Sequence, residues 1–398
     1  MPVSKMSVSK IEAIRALFPA LTSQTYMSIC DKMILADPVR QAVDNFLDKL
    51  AMASANRTDH EDFVESSRVK FAQMMSVKPD EVAVTRNVSD GVNAIAWSFP
   101  FKTGDNIVIC TNAEHPNNIY PWLRLRERDI DVRIVPAING RIDIDAMTAA
   151  MDSRTRLATV ASVSFAPGYR TDTTKLGEYC QKKNIFLLID GVQSAGILHH
   201  DLAQEPVDAF ATSTSKGLLG LYGSGFMYIN ENWLDRLNPA YLSRTGVDLG
   251  SDDASAMGEH HYQLYASGKR FEVGSYNLAA SYAADASLSL LNAIGTQAIE
   301  THVLHLARAL REGLAKYGLR VSKPQQALEE SHIITCGELD AGGHGFSHDA
   351  RINEMHKTLL DANITHTLRR GQLRFGLHVY NNMADVEHVL SILNNMKS

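Results

Sequence analysis

The chain has 398 residues, 45% of them hydrophobic, enough for one large core and a smaller one, and its length suggests two or three domains. A net charge of −6 with 21% charged residues supplies no basic face, so neither nucleic acid nor an anionic membrane is expected as a partner. Its apolar runs are strand-length, far short of the roughly 20 residues a bilayer requires. The first 15 residues hold no apolar signal-peptide core. Four cysteines, Cys30, Cys110, Cys180 and Cys336, lie far apart without a CxxC pair, the pattern of reduced thiols in a cytoplasmic protein.

In chain order, residues 82–85, 107–110, 132–135, 157–163, 185–189, 209–212 and 225–229 read as strands. Near-continuous apolar runs separated by amphipathic segments predict an α/β fold with a mostly parallel seven-stranded sheet covered on both faces. Sites in such sheets gather at the carboxyl ends of strands. After the first strand, Val92, Ile95, Ala96 and Phe99 form a helical stripe that starts near Ser89. Ser89 or Asp90 there is an ordinary N-cap, and the free N–H groups of such a start also suit a phosphate. The polar stretch 248–259 is the expected mobile loop. A long helix over 278–316 leads away from the sheet, and short strands (333–336, 373–378) and two helices (349–362, 384–396) follow. The expected division is an N-terminal segment (1–30) packing near the small domain, a large domain (31–280) and a small α+β C-terminal domain (281–398).

The run Phe186-Leu187-Leu188-Ile189-Asp190-Gly191-Val192-Gln193 is an apolar strand ending in a carboxylate and an amide. Ser213-Thr214-Ser215-Lys216-Gly217 ends a later strand. A lysine so placed could form a Schiff base with pyridoxal phosphate. An acid on the neighbouring strand end could pair with the pyridine nitrogen and make the ring an electron sink.

With these residues, and with Arg270-Phe271-Glu272-Val273-Gly274-Ser275-Tyr276-Asn277, the chain resembles the fold-type I pyridoxal-phosphate enzymes, specifically the class V aminotransferase and cysteine desulfurase family. The resemblance runs from residues 18–21 to the C-terminal helix. It implies that Lys216 is the Schiff-base lysine, that Asp190 and Gln193 meet the pyridine nitrogen and ring hydroxyl, and that Ser213 and Ser215 flank the phosphate and lysine. Val88 and Ser89 would form the phosphate cradle, and His115 would stack on the ring and relay protons. Ser275 would reach the phosphate in the neighbouring subunit, which makes the expected assembly a homodimer. Arg374 would grip the substrate α-carboxylate. Arg369 and Arg370 lie close to it, though paired arginines are usually solvated surface.

The pattern also departs from the desulfurases. They carry a nucleophilic cysteine on a loop before the carboxylate-binding arginine, and Leu368-Arg369-Arg370-Gly371-Gln372-Leu373-Arg374 leaves no room for one. Phe165 replaces an asparagine and Ser215 a histidine, closer to the isopenicillin-N-epimerase-like and C–S-lyase-like branch. The histidine pairs 302/305 and 344/348 find no partners for a four-ligand set, so no metal is expected. His260 and His261 would instead lie near substrate. The favoured function is a lyase of amino-acid metabolism acting at the β-carbon of an amino acid, with an aminotransferase second and an epimerase third. A non-catalytic cofactor-binding protein is opposed by the Schiff-base lysine, and a nicotinamide dehydrogenase by the missing GxGxxG.

Overall fold

Seven apolar segments assemble into one sheet in a computed structural model that describes residues 6–249 and 262–396. They are β1 (Val82–Thr85), β2 (Asn106–Cys110), β3 (Asp131–Val135), β4 (Thr155–Ala161), β5 (Phe186–Asp190), β6 (Ala209–Ser213) and β7 (Gly225–Ile229), in the spatial order β1-β7-β6-β5-β4-β2-β3. From β3 to β6 every pairing is parallel; β7 runs antiparallel to both β6 and β1. The sheet is covered on both faces. Along β2, Val108 and Cys110 enter one apolar cluster while Ile107 and Ile109 enter the other, the period-two alternation of a strand buried on two sides.

The helical stripe after β1 forms α1 (Val88–Ser98). Its cap is Asn87, whose side chain accepts from the Asp90 amide, so neither Ser89 nor Asp90 caps it. The stretch expected as one helix is two, α2 (Leu278–Ile294) and α3 (Thr296–Lys316), broken at Gly295 with φ 89°. An L side chain resists that backbone angle, and glycine does not.

Beyond α3 a second sheet has the order β8 (Ile333–Cys336), β10 (Gln372–Gly376), β9 (Thr367–Arg369), all antiparallel. It packs with α3 and the helices α4 (Ala350–Asp361) and α5 (Met383–Asn395) in a third apolar cluster. Upstream, Thr25–Tyr26 pairs in parallel with Ile364–Thr365. The polar stretch 250–259, with His260 and His261, lies outside the described residues. Among the described residues no helix is long and apolar enough to cross a membrane.

Glu272 ties three parts of this frame together. Its buried carboxylate accepts from both terminal nitrogens of Arg68, from the Val84 amide at 2.7 Å and from the Tyr276 hydroxyl. Arg68 also donates to the Val82 carbonyl at 2.7 Å. Without Glu272, Arg68 would keep only the half-exposed Glu65, onto which it also forks at 3.0 and 3.1 Å, and the Val84 amide and Tyr276 hydroxyl would lose their acceptor. Glu272→Ala is therefore expected to lower the unfolding free energy by about 3–5 kcal/mol in urea titration; a loss under about 1 kcal/mol would mark the pair as dispensable.

Candidate active site

The carboxyl ends of β5 and β6 lie side by side, with Asp190 in register with Ala211. Ser213, two residues further, accepts a 2.8 Å hydrogen bond from the Val88 amide, so the first turn of α1 abuts the end of β6. Ser89 follows in that turn, partly exposed. After Ser215, whose carbonyl accepts from the Met33 amide at 3.0 Å, the chain turns at Lys216, and the Leu219 amide closes the turn on the Lys216 carbonyl at 2.9 Å. His378 reaches the same turn from beyond β10. Its Nδ1 accepts from the Val379 amide, leaving the proton on Nε2, which donates to the Gly217 carbonyl at 2.8 Å.

Lys216 sits deep in the molecule yet keeps some accessible surface, as a side chain at the floor of a cleft does. Burial depresses its ammonium pKa; the charge of Asp190 opposes that, and Arg374 adds to it. Burial raises the Asp190 carboxyl, against the Val192 amide at 3.0 Å and the charge of Lys216. Gln193 donates to the Cys30 carbonyl at 3.0 Å, and its buried Oε1 has no partner. His115 caps a short turn, with Nδ1 accepting from the Asn117 amide at 3.2 Å, and its ring meets Phe165 edge-on at 5.6 Å. Desolvation and the charges of Lys216 and Arg374 lower its pKa.

Arg374 is 2% exposed. Its Nε donates to Thr367 Oγ1 at 2.9 Å and its Nη1 to the Phe165 carbonyl at 2.7 Å. Arg369 and Arg370, expected at a solvated surface, are instead engaged. Arg369 donates to Asp31 at 2.8 Å. Arg370 forks onto Asp340 at 2.6 and 2.8 Å and also donates to the carbonyls of Asn112 and Ala166.

Ser275 stands apart. It is exposed, with φ 47°, and lines a depression of about 280 Å³ with Thr85, Arg86, Asp90 and Ser224. Neither Lys216, Asp190, His115 nor Arg374 lines that depression.

Sequence reasoning missed Glu114, Asp31 and Thr367. Glu114 is buried beside Asp190, accepting from the Ala161 amide at 2.6 Å and Asn118 Nδ2 at 3.0 Å. Burial pushes its carboxyl up to about 8, with Asp190 adding to the rise. Its place directly before His115 was the available signal; the other two offered none. All four cysteines are buried, and burial raises Cys110, Cys180 and Cys336 to about 12. Among the described residues no three His, Cys, Asp or Glu side chains form a group that could hold a metal ion.

A lysine and an acid at the carboxyl ends of neighbouring parallel strands, with a buried arginine on the second sheet, are the arrangement of the fold-type I pyridoxal-phosphate architecture. The sequence profile named aminotransferase class-V matches residues 37–389, and the chain belongs to that family. It is 28% identical over 379 residues to the Bacillus subtilis protein named uncharacterized aminotransferase YcbU, covering 95% of this chain and 96% of that one. A probable cysteine desulfurase of Methanothermobacter thermautotrophicus is 29% identical over 326 residues, 79% of each chain. Among solved structures, a cysteine desulfurase of Thermococcus onnurineus superposes with TM-score 0.84 at 23% identity, covering 99% of both chains. The cystine C-S lyase C-DES superposes with TM-score 0.82 at 22% identity, over 94% of this chain and 98% of that one. The chain is thus a pyridoxal-phosphate-dependent enzyme. Its residues fit that group: the orphaned Gln193 Oε1 needs a polar partner, and a partly accessible lysine stands among buried polar groups.

His332 supplies a pH test of the surroundings. It is wholly buried, neither ring nitrogen has a hydrogen bond, and burial, with His378, Arg374 and Lys216, lowers its pKa from 6.5 to about 3. Between those values the unfolded chain binds a proton that the folded chain does not, so this group removes stability as pH falls. The advantage of His332→Leu over wild type should grow by about 1.4 kcal/mol per pH unit below 6.5, read by urea unfolding at pH 7 and 5. A pH-independent difference would mean His332 is protonated in the folded protein.

Proposed function

We propose that the protein is an α-amino-acid lyase: Lys216 removes the Cα proton and a substituent leaves the β-carbon. The observation that carries Cα-proton removal is the place of Lys216, buried just past the end of β6 with Asp190 at the neighbouring strand end, where burial disfavours its charged form. Elimination shares that step with transamination, and with all four cysteines buried its leaving group comes from the substrate. Bound pyridoxal phosphate supplies the electron sink for the charge left at Cα. Lys216 would hold it covalently, Asp190 would face its pyridine nitrogen, Gln193 and Ser215 its ring and lysine side, and Val88, Ser89 and Ser213 its phosphate. His115 would cover one face of the ring. Arg374, with Nε and one Nη1 proton already committed, would take the α-carboxylate through the rest of its fork and so orient the Cα–H bond.

Desulfurase relatives argue for a persulfide-forming reaction, but the burial of all four cysteines argues against a thiol that meets substrate. Transamination is the second reading, supported by the 28% identical relative named as an aminotransferase. The loaded protein should be mixed with amino acids singly while keto acid, ammonia and the cofactor spectrum are followed. Catalytic keto acid and ammonia in equal amounts are expected. Stoichiometric keto acid with the cofactor left in its amine form would replace the lyase by an aminotransferase.

We further propose that the working assembly is a homodimer, divided in each chain into the large (31–280) and small (281–398) domains, with the segment bearing Ser275 completing the partner's phosphate site. Support comes from the exposure of Ser275 and its separation from the acid and base groups of its own chain. Specific activity is expected to fall on dilution as subunits dissociate; a fully active monomer would refute the shared site.

A further inference from the structure

Two arginines and one carboxylate meet at one corner of the site. Across the β9–β10 ladder Thr367 faces Arg374, and Arg369 lies two residues beyond Thr367, so both arginines project from the same face as diagonal neighbours. Arg369 is paired: its Nη1 donates to the Leu368 carbonyl at 3.0 Å and its Nη2 to Asp31 Oδ1 at 2.8 Å. Arg374 stands further from that carboxylate. Its Nη2 stands 3.9 Å from the same Asp31 oxygen, beyond hydrogen-bond reach. Among the described residues nothing else accepts from that nitrogen.

Asp31 is delivered by the segment before it. The Gly376 amide donates to the Met27 carbonyl at 2.8 Å and Ser28 bridges to Gly376. A Cβ at residue 376 would stand 2.7 Å from Cys30 Sγ, so glycine is what lets residues 28–31 lie flat against β10. The Asp31 side chain keeps 38% of its surface, against 14% for Arg369 and 3% for Arg374. Burial and the charge of Arg374 lower the pKa of Arg369 while Asp31 opposes them, as expected for an anion set between two cations.

We propose that Asp31 determines substrate specificity: by occupying Arg369 it leaves Arg374 as the single carboxylate grip and restricts the site to amino acids bearing one carboxylate. The proposal rests on the carboxylate role given to Arg374 above. A second carboxylate near this face meets a guanidinium whose charge is already paired with Asp31 and the negative charge of Asp31 itself, a repulsive element as well as a weakened attraction. With Asp31 neutralised, two guanidinium groups on one hairpin face suit a dicarboxylate.

Acetate and succinate serve as probes, titrated into the loaded protein with the cofactor's visible band as readout and into the cofactor-free protein by thermal shift. Asp31→Asn is expected to tighten succinate by about tenfold and to change acetate by less than about twofold. Asp31→Ser, a smaller neutral replacement, should repeat the gain, and Arg369→Gln added to Asp31→Asn should abolish it. An unchanged succinate-to-acetate ratio, or a gain that survives Arg369→Gln, overturns the proposal. Arg374→Gln separates the two readings. If it abolishes acetate binding while Asp31→Asn leaves the ratio unchanged, only the role of Asp31 fails. If it leaves acetate and succinate binding untouched, the carboxylate role of Arg374 fails and the role of Asp31 with it.

Discussion

The parallel register of β5 with β6 governs where every other group at the site can stand. Ile189 faces Phe210 and Asp190 faces Ala211, and the Gly191 amide continues the ladder to the Ala211 carbonyl at 2.9 Å. The ring of Phe210 fills the space that a side chain at residue 191 would need, within 1.9 Å of a hypothetical Cβ. That contact fixes the register sterically, because both faces of the sheet are apolar and alternation alone would specify it weakly. A slip of one residue would turn Ser213 to the opposite face, away from the Val88 amide. Lys216 would move with it, since its turn begins where β6 ends.

The second sheet supplies the cation that makes the cleft electrostatically uneven. Arg374 is buried, and its desolvation is offset by Thr367 and by the Phe165 carbonyl, with the Asp31 carboxylate more distant at 3.9 Å. Its charge reaches Lys216, His115 and His332 and lowers the pKa of each. Burial raises the carboxyls of both Glu114 and Asp190, and the charge of Asp190 adds to the rise of Glu114. Perturbed groups of both signs, held by fixed backbone partners, are the arrangement that polar chemistry in a dry cleft requires. His378 makes the two halves dependent on each other: its bond to the Gly217 carbonyl ties the segment after β10 to the lysine turn.

Much of this was legible in the sequence. The seven apolar runs became the seven sheet strands, because strands buried on both faces advertise themselves as short β-branched runs. The strand-end positions of Asp190 and Ser213, with Lys216 just beyond, were legible because the apolar runs stop there. What failed to read were features set by distant contacts. β9 is three residues long and carries an arginine, so no pattern announces it, and Thr367 gains its meaning only by facing Arg374. Asp31 meets Arg369 across more than three hundred residues. The break at Gly295 falls inside a continuous helical pattern, where an isolated glycine is tolerated and so does not by itself announce a helix end.

The turn at Arg370 and Gly371 decides what chemistry the site can bring of its own. Both residues take left-handed angles, φ 50° and 79°, so β9 returns directly into β10 and the hairpin offers no loop to carry a nucleophile over the cleft. In place of a loop, the Arg370 guanidinium binds Asp340 and the carbonyls of Asn112 and Ala166, pinning the segments that lead to His115 and follow Phe165. Among the described residues the hairpin therefore brings no thiol to the site, and all four cysteines are buried. On the proposed reading the leaving group comes from the substrate, Arg374 grips the carboxylate and Lys216 takes the proton. Selectivity would then fall to the charges around that grip, where Asp31 pairs with Arg369 beside Arg374.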